Sequence, residues 1–323
     1  MDIAVEATCE AKIARQASTS VNASTLLDIV KRIPPHSVML CTVSGTTLTL
    51  TAGGGTFSLM TINPDDHPVM SFDGSAASFA MPRADLRRVF ADTLFSASTD
   101  VTRYYLNGVY LHVISDGDVS VLRAVATDGH KLAQVDVPLP HGANDIPGVI
   151  VPRRTAKEMK HFASGGDGDV VVAVTPNKIR FDFGRLSLTS TLVDGTFPDY
   201  ASVIPRTHKN EVIVGRQEFV AAVSRVSTVD RDGYRAIKLS IGKEQIALSV
   251  NNPDAGSATE EIDATLRGSP MEIAFMPRYL IEIASHIDSD ALMIRLGKPG
   301  EPVLIGGHGD DTAIYVLMPM ALR

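Results

Sequence analysis

Thr127-Asp128-Gly129-His130 is the segment that comes nearest to catalytic chemistry, because a carboxylate two residues from an imidazole can orient it as a general base. A base needs a nucleophile to activate, and no Ser or Cys stands close by in sequence to take that role. Asp-Gly between two strand-like runs is equally a turn signal. The segment therefore reads as a hairpin turn, with a His130-centred or metal-dependent enzyme as the alternative. Gly53-Gly54-Gly55 lies between two further strand-like runs and reads as a hairpin connection, not a phosphate cradle. Gly166-Asp167-Gly168-Asp169 has the acidic look of a calcium loop. Counted from Asp167 or Asp169, however, the twelfth position is Lys178 or Arg180, where that loop needs a bidentate Glu. No GxxxxGK[ST], strand-to-helix GxGxxG, HExxH or GxSxG occurs. Cys9 and Cys41 have neither CxxC nor Cys/His spacing and are expected to be reduced core residues. The expectation is a protein that is not an enzyme and takes no metal and no cofactor.

Tyr315-Val316-Leu317-Met318-Pro319-Met320 suggests binding chemistry instead. Pro cannot donate to a strand ladder, so part of this apolar run is left uncommitted to a sheet and can line a groove. Two Met side chains would make such a groove adaptable to several partners.

The elements that must position these segments follow from an internal repeat. Five times an apolar strand reaches a Pro, Gly or Asn and gives way to about three turns of amphipathic helix. The anchors are Asn22, Pro82, Pro152, Gly215 and Pro277, spaced 60, 70, 63 and 62 residues apart. The helices are predicted at 23–33, 82–92, 152–163, 215–226 and 277–287, each with apolar residues on one face, such as Leu86, Val89 and Phe90. About three short strands follow each helix. Examples are Ile237 to Ile241, Gln245 to Val250 and Ala258 to Ala264, with turns at Gly242-Lys243 and Asn252-Pro253-Asp254-Ala255-Gly256. The repeating unit is βαβββ and the class α+β. Copies two and three, and copies four and five, pair into domains of ordinary size, leaving the first copy without its mate. The expected domains are 1–74, 75–206 and 207–323.

The net charge of −7 argues at first against a polyanionic partner. Its distribution says otherwise. The five predicted helices hold 12 Lys/Arg against 6 Asp/Glu, an excess of +6, and the remainder of the chain carries −13. Helices gathered on one side of a curved sheet would present a positive surface to a polyanion and a negative one elsewhere. Phosphate contacts carry no sequence information, so such a surface would bind duplex weakly and let it slide. Hydrophobic residues make up 44% of the chain with 18 aromatics and no Trp, so the cores must be aliphatic. The charged first fifteen residues hold no apolar run suited to export or membrane insertion, and the chain is expected in the cytoplasm.

Several segments resemble the β subunit of bacterial DNA polymerase III. They are Arg103-Tyr104-Tyr105-Leu106-Asn107-Gly108-Val109, Val125 to Ala133 around the Thr127 turn, Val149-Ile150-Val151-Pro152-Arg153, Leu192-Val193-Asp194-Gly195 with Phe197-Pro198-Asp199-Tyr200, Asn251-Asn252-Pro253, and the Tyr315 to Met320 run. They follow the family's order along nearly the whole chain. The resemblance implies sliding-clamp domains in a two-subunit ring, with helices lining a central hole around double-stranded DNA and antiparallel sheets outside. The function it implies is processivity: clients such as the polymerase α subunit and the clamp loader dock by short peptides, without sequence preference for the DNA. By resemblance the client pocket comprises Leu106, Thr127, Gly129, His130, Lys131, Leu132, Pro198, Val203, Tyr234, Val316, Leu317, Met318, Pro319 and Met320. The DNA contacts would be Arg103, Tyr104, Tyr105, Arg153 and Arg154, and the dimer joint would set Phe57 and Leu59 against Thr228 and Val229. Ser202 and Ala321 stand where well-known members carry Arg. The family carries about fifty more residues at its start, roughly the first half of a domain, so a homodimer of this chain is expected to be weakened. A β-rich interaction module with no DNA role is the competing reading.

Overall fold

Pro82, Pro152 and Pro277 each stand where a helix begins, the first two as N-caps and the third as the first helical residue. A missing N–H costs nothing there, and the fixed φ suits the entry. The computed structural model describes residues 2–74, 77–116, 119–230, 233 and 235–321. Its N-terminal part comprises β1 (Ile3–Ala7), α1 (Ala23–Arg32), β2 (Leu40–Ser44), β3 (Thr47–Ala52) and β4 (Gly55–Met60). A central unit follows, with β5 (Ala77–Pro82), α2 (Arg83–Ala91), β6 (Gly108–Asp116), β7 (Val119–Thr127), β8 (Lys131–Pro138), β9 (Val149–Pro152), α3 (Arg153–Phe162), β10 (Asp169–Val174), β11 (Lys178–Asp182) and β12 (Leu186–Thr191). The C-terminal unit repeats that order as β13 (Asn210–Gly215), α4 (Arg216–Val226), β14 (Ile237–Ile241), β15 (Gln245–Asn252), β16 (Gly256–Arg267), β17 (Met271–Phe275), α5 (Pro277–Ser285), β18 (Ala291–Leu296), β19 (Val303–Gly307) and β20 (Ala313–Leu317).

The βαβββ repeat is present in both complete units. In the first copy its opening strand is reduced to a single bridge between Ser20 and Ile62. Copies pair by exchanging their first strands: β5 bonds to β10 of its mate while β9 bonds to β6, and likewise β13 pairs with β18 and β17 with β14. Each unit is thus closed by two copies that complete each other's sheets. Gly108 permits one of these crossings, since a side chain there would collide with the Val151 carbonyl on β9.

The units join edge to edge. β20 of the C-terminal unit pairs with β8 of the central unit, and β12 of the central unit pairs with β1. Continuity across the first joint gives a twelve-stranded antiparallel sheet running from β17 to β9. Helices pack on one face of this framework over an aliphatic core that includes Leu86, Val89 and Phe90 of α2, Met159 of α3, Phe219 of α4 and Ile283 of α5. Each fully buried Leu, Val or Phe contributes about 1.5–3 kcal/mol, which explains how a chain poor in aromatics can be held.

The cysteine expectation holds for the absence of a disulfide between Cys9 and Cys41 and fails for their burial. Cys9 and Cys41 are both free and exposed. Cys41 lies on β2, the edge strand of the β2–β3–β4 sheet, opposite the buried Leu50 of β3. Among the described residues no group of His, Cys, Asp or Glu is arranged to hold a metal ion, and no helix is long and apolar enough to cross a membrane.

Candidate functional site

Strand register builds a groove on the sheet face opposite the helices. Residues directly opposite each other across a ladder share a face. Leu304, Val316, Leu132 and Thr127 therefore line up across β19, β20, β8 and β7. The next row is Ile314, Gln134, Val125, Tyr110 and Ile150. From these rows Leu132, Val125, Ile150, Val316 and Leu304 form one buried cluster with Leu106, Phe197 and Tyr200, separate from the core under the helices. The segment from Val193 to Ile204 flanks the cluster, and on it Pro198 and Val203 are exposed.

The Thr127 to Lys131 segment is the β7–β8 hairpin turn. Asp128 shapes the turn with Oδ1, which accepts the backbone N–H groups of His130 at 2.8 Å and Lys131 at 2.9 Å. Thr127 Oγ1 accepts the Gly129 N–H and donates to the Lys131 carbonyl. Gly129 has φ of 90°, where a side chain would be strained. Asp128 thus orients backbone and not the His130 imidazole, which stacks beside Tyr279 of α5 with centroids 6.3 Å apart. The tail closes one end: Met318 N–H donates to the His130 carbonyl and Met320 N–H to the Ala274 carbonyl. Met318 stays 40% exposed and Pro319 and Met320 half-buried, so apolar surface remains open there.

Two pocket candidates face the other way. Leu317 and Lys131 pair across β20 and β8, one residue out of step with Val316 and Leu132, and both point to the helix side. Leu317 belongs to the main core, and Lys131 is 7% exposed. Tyr234 lies outside the described residues. Ser202 is exposed and donates to the Asp199 carbonyl, and Ala321 is exposed.

Beside the apolar rows runs a polar one. Arg123 holds Asp136 with two bonds of 2.7 Å, and His112 Nε2 lies 2.9 Å from the Tyr200 hydroxyl. Tyr110 stacks between the rings of His112 and Phe197, at 4.4 and 4.9 Å. Burial, reinforced by the Arg123 charge, pulls the His112 pKa down to about 4. An unfolded imidazole takes its proton near pH 6.5, before the folded one does. Stability is therefore full above that pH and falls as pH drops toward 4, by up to roughly 3 kcal/mol. Asp92 works in the opposite sense, its pKa raised by burial although His286 and Arg88 oppose this. Urea melts of the wild type and His112→Gln from pH 7 to pH 4.5 isolate the His112 contribution. The variant should show the shallower acid loss, and superimposable profiles would remove the assignment.

The candidate DNA residues meet at one place. Arg103, Tyr104 and Tyr105 lie on a 3-10 segment, Val101–Leu106, and the next residue, Asn107, accepts the Arg153 N–H at the start of α3. Their side chains differ in availability. Arg103 is paired with Asp100 and donates to the Asp128 carbonyl, bracing the groove turn. Arg153 donates to the carbonyls of Leu94 and Ala97, tying its copy to its mate. Arg83 and Arg216, at the same point of the repeat, do likewise toward Gly165 and Phe183, and toward Ser289. Arg87, Arg154, Lys157 and Lys160 remain exposed, and Tyr104 is 54% exposed.

The N-terminal, central and C-terminal domains described for the DNA polymerase III beta subunit match residues 1–71, 80–199 and 201–321. The chain belongs to the DNA polymerase III beta subunit family. A beta sliding clamp of Caulobacter vibrioides is 40% identical over 92% of this chain and 81% of its own length. That of Escherichia coli K12 is 31% identical over 94% of this chain and 82% of its own. A crystal structure of a Bartonella birtlesii sliding clamp bound to griselimycin superposes with a TM-score of 0.95 at 41% identity, covering 100% of this chain and 87% of that one. A Caulobacter crescentus clamp superposes at 0.96 with 38% identity, covering 99% and 86%. As a beta sliding clamp the chain confers processivity on DNA polymerase III and is not itself catalytic.

Several groove residues of this clamp escape a reading of the sequence. Val125, Ile150, Phe197, Tyr200 and Leu304 form much of the floor, and Tyr279 stands beside His130. β20 is buried on both faces, with Tyr315 and Leu317 in the main core and Val316 in the groove cluster, so only register tells which strands share the groove face. On the helix side of the same joint lies a polar cavity of about 300 Å³, lined by residues including Arg88, Asp92, His286, Asp310 and Tyr315. Arg88 pairs there with Asp92 and Asp310, so its charges largely answer one another.

Proposed function

We propose that two copies of this chain close a ring around double-stranded DNA and dock the polymerase, the clamp loader and other clients in the groove between the central and C-terminal units. The reading takes domains 1–74, 75–206 and 207–323 and places the protein in the cytoplasm. The observation that carries it is the repeated joint. In β8–β20 and again in β1–β12, the last strand of a unit, β20 or β12, pairs with a strand of the preceding part of the chain. By the same rule β4, the last strand of the N-terminal part, needs the place beside β16, the counterpart of β8. Both edges are open among the described residues: β4 pairs only with β3, and Gly256 to Asp263 of β16 pair only with β15. One chain cannot satisfy itself, whereas two copies related by a twofold axis make two identical joints and close. Phe57 on β4 is 36% exposed, and Val229 lies beside the β15–β16 turn, where its carbonyl accepts from Asn252.

A charge buried at each joint acts twice in a closed dimer. Phe57→Asp should therefore shift self-association of the 323-residue chain toward monomer by more than about tenfold in dissociation constant, read by sedimentation velocity over a concentration series. A variant that associates like the wild type would place the joint elsewhere and favour the β-rich interaction module without a ring.

A further inference from the structure

We propose that Lys131 and Glu282 form an interdomain clasp that positions the groove and so sets client affinity, an inference that rests on the groove being the client site. Lys131 opens β8, and its side chain leaves the sheet on the face away from the groove floor, paired with Leu317. It is one of the few charged side chains buried in the molecule. Its Nζ donates to Glu282 of α5 at 2.6 Å and lies 3.5 Å from Asp128 Oδ2. The same ammonium sits 4.6 Å from the centroid of Tyr279 and 5.7 Å from that of Phe95. Carboxylates and aromatic faces here take the place of the water that burial strips from a lysine.

These partners come from both sides of the joint. Phe95 and Asp128 belong to the central unit, Tyr279 and Glu282 to the C-terminal one. Asp128 has two tasks: one oxygen shapes the hairpin turn and the other meets the ammonium. The turn it shapes presents the His130 ring next to Tyr279 and the His130 carbonyl to the Met318 N–H. Fixing Lys131 against α5 thus fixes the turn, the His130–Tyr279 ring pair and the start of the tail as one assembly. Lys131 itself is shut off from a peptide on the groove side, so it acts as a positioning residue and not as a contact.

Lys131→Met keeps the apolar stem and removes the charge. Glu282, with 37% of its side chain exposed, can then turn to water, so the fold should persist. Affinity for a short Gln-led apolar peptide should fall about tenfold, while the melting temperature changes little. Lys131→Arg should restore affinity, because a guanidinium can bond both carboxylates and lie over the Tyr279 ring. Amide exchange at Met318 reads the groove without any peptide and should quicken in Lys131→Met. Unchanged affinity together with unchanged Met318 exchange would overturn the clasp. A loss of affinity that tracks a large drop in melting temperature and is not rescued by Lys131→Arg would overturn it too. If the wild type bound no peptide while Met318 exchange still quickened, the clasp would stand and the client reading of the groove would fall.

Discussion

Deletion of Met318 to Met320 is expected to abolish client-peptide binding, with affinity falling by more than about a hundredfold. These residues contribute in two ways. Their side chains supply open, deformable apolar surface at the end of a floor made by Val316, Leu132 and Leu304. Their backbone also carries the tail from the end of β20 to β17, through Met318 N–H to the His130 carbonyl and Met320 N–H to the Ala274 carbonyl. The deletion removes both the wall and the link that closes the groove. The fold should survive, because β20 ends at Leu317 and its pairing with β8 is untouched. Fluorescence anisotropy with a labelled peptide, beside a melting curve, separates the two effects. A deletion variant that melts normally and binds peptide as tightly as the full chain would move the client site elsewhere.

The helices α2 to α5 were legible in the sequence because two signals coincide at each start: an anchor that ends a strand, and an apolar stripe at helical spacing. The spacing predicts helices at 152–163 and 277–287, and the structure has them at Arg153–Phe162 and Pro277–Ser285. What was hidden is the exchange of β5 and β9 between mates. Both strands are short apolar runs before a Pro, and nothing local says which sheet receives them. The charge argument needs trimming for the same reason. Arg83, Arg153 and Arg216 share one place in the repeat and all bond to main-chain carbonyls of the neighbouring copy, so they hold the two copies of a unit together and contribute less to a free positive surface. Their equivalent spacing was visible in the sequence, but the carbonyls they reach come from distant segments.

At the groove, strand alternation could have divided the tail in advance. Val316 and Leu317 are successive residues of a strand, so only one of them can face the floor. Whether Lys131 or Leu132 shares that face depends on the β20–β8 register, which no local pattern fixes. Cys41 shows the converse limit. Its strand has core-like composition, and its cross-strand neighbour Leu50 is buried, yet β2 is the edge of its sheet, a position that composition does not report.

Linearising a circular duplex should shorten the clamp's lifetime on it by on the order of a hundredfold or more. The exposed cations on α2 and α3 are Arg87, Arg154, Lys157 and Lys160. Their contacts with phosphate are individually weak, blind to sequence and weakened by salt through counterion release. Binding to a short linear duplex should therefore fade as salt rises. The proposed ring, once closed on a nicked circle, would be held by its two strand joints and escape only when one opens, so its retention should be far less sensitive to salt. Arg154→Glu distinguishes the surface contribution from the topological one. Its side chain is exposed, whereas Arg153→Glu would also break the bonds to Leu94 and Ala97 and confuse binding with stability. The Arg154 variant should bind linear duplex and load more poorly, keep its peptide affinity, and once loaded stay on the circle as long as the wild type. Equal wild-type lifetimes on the circle and on its linearised product would mean that the DNA is never encircled, and the repeated strand geometry of the joints would then need another purpose.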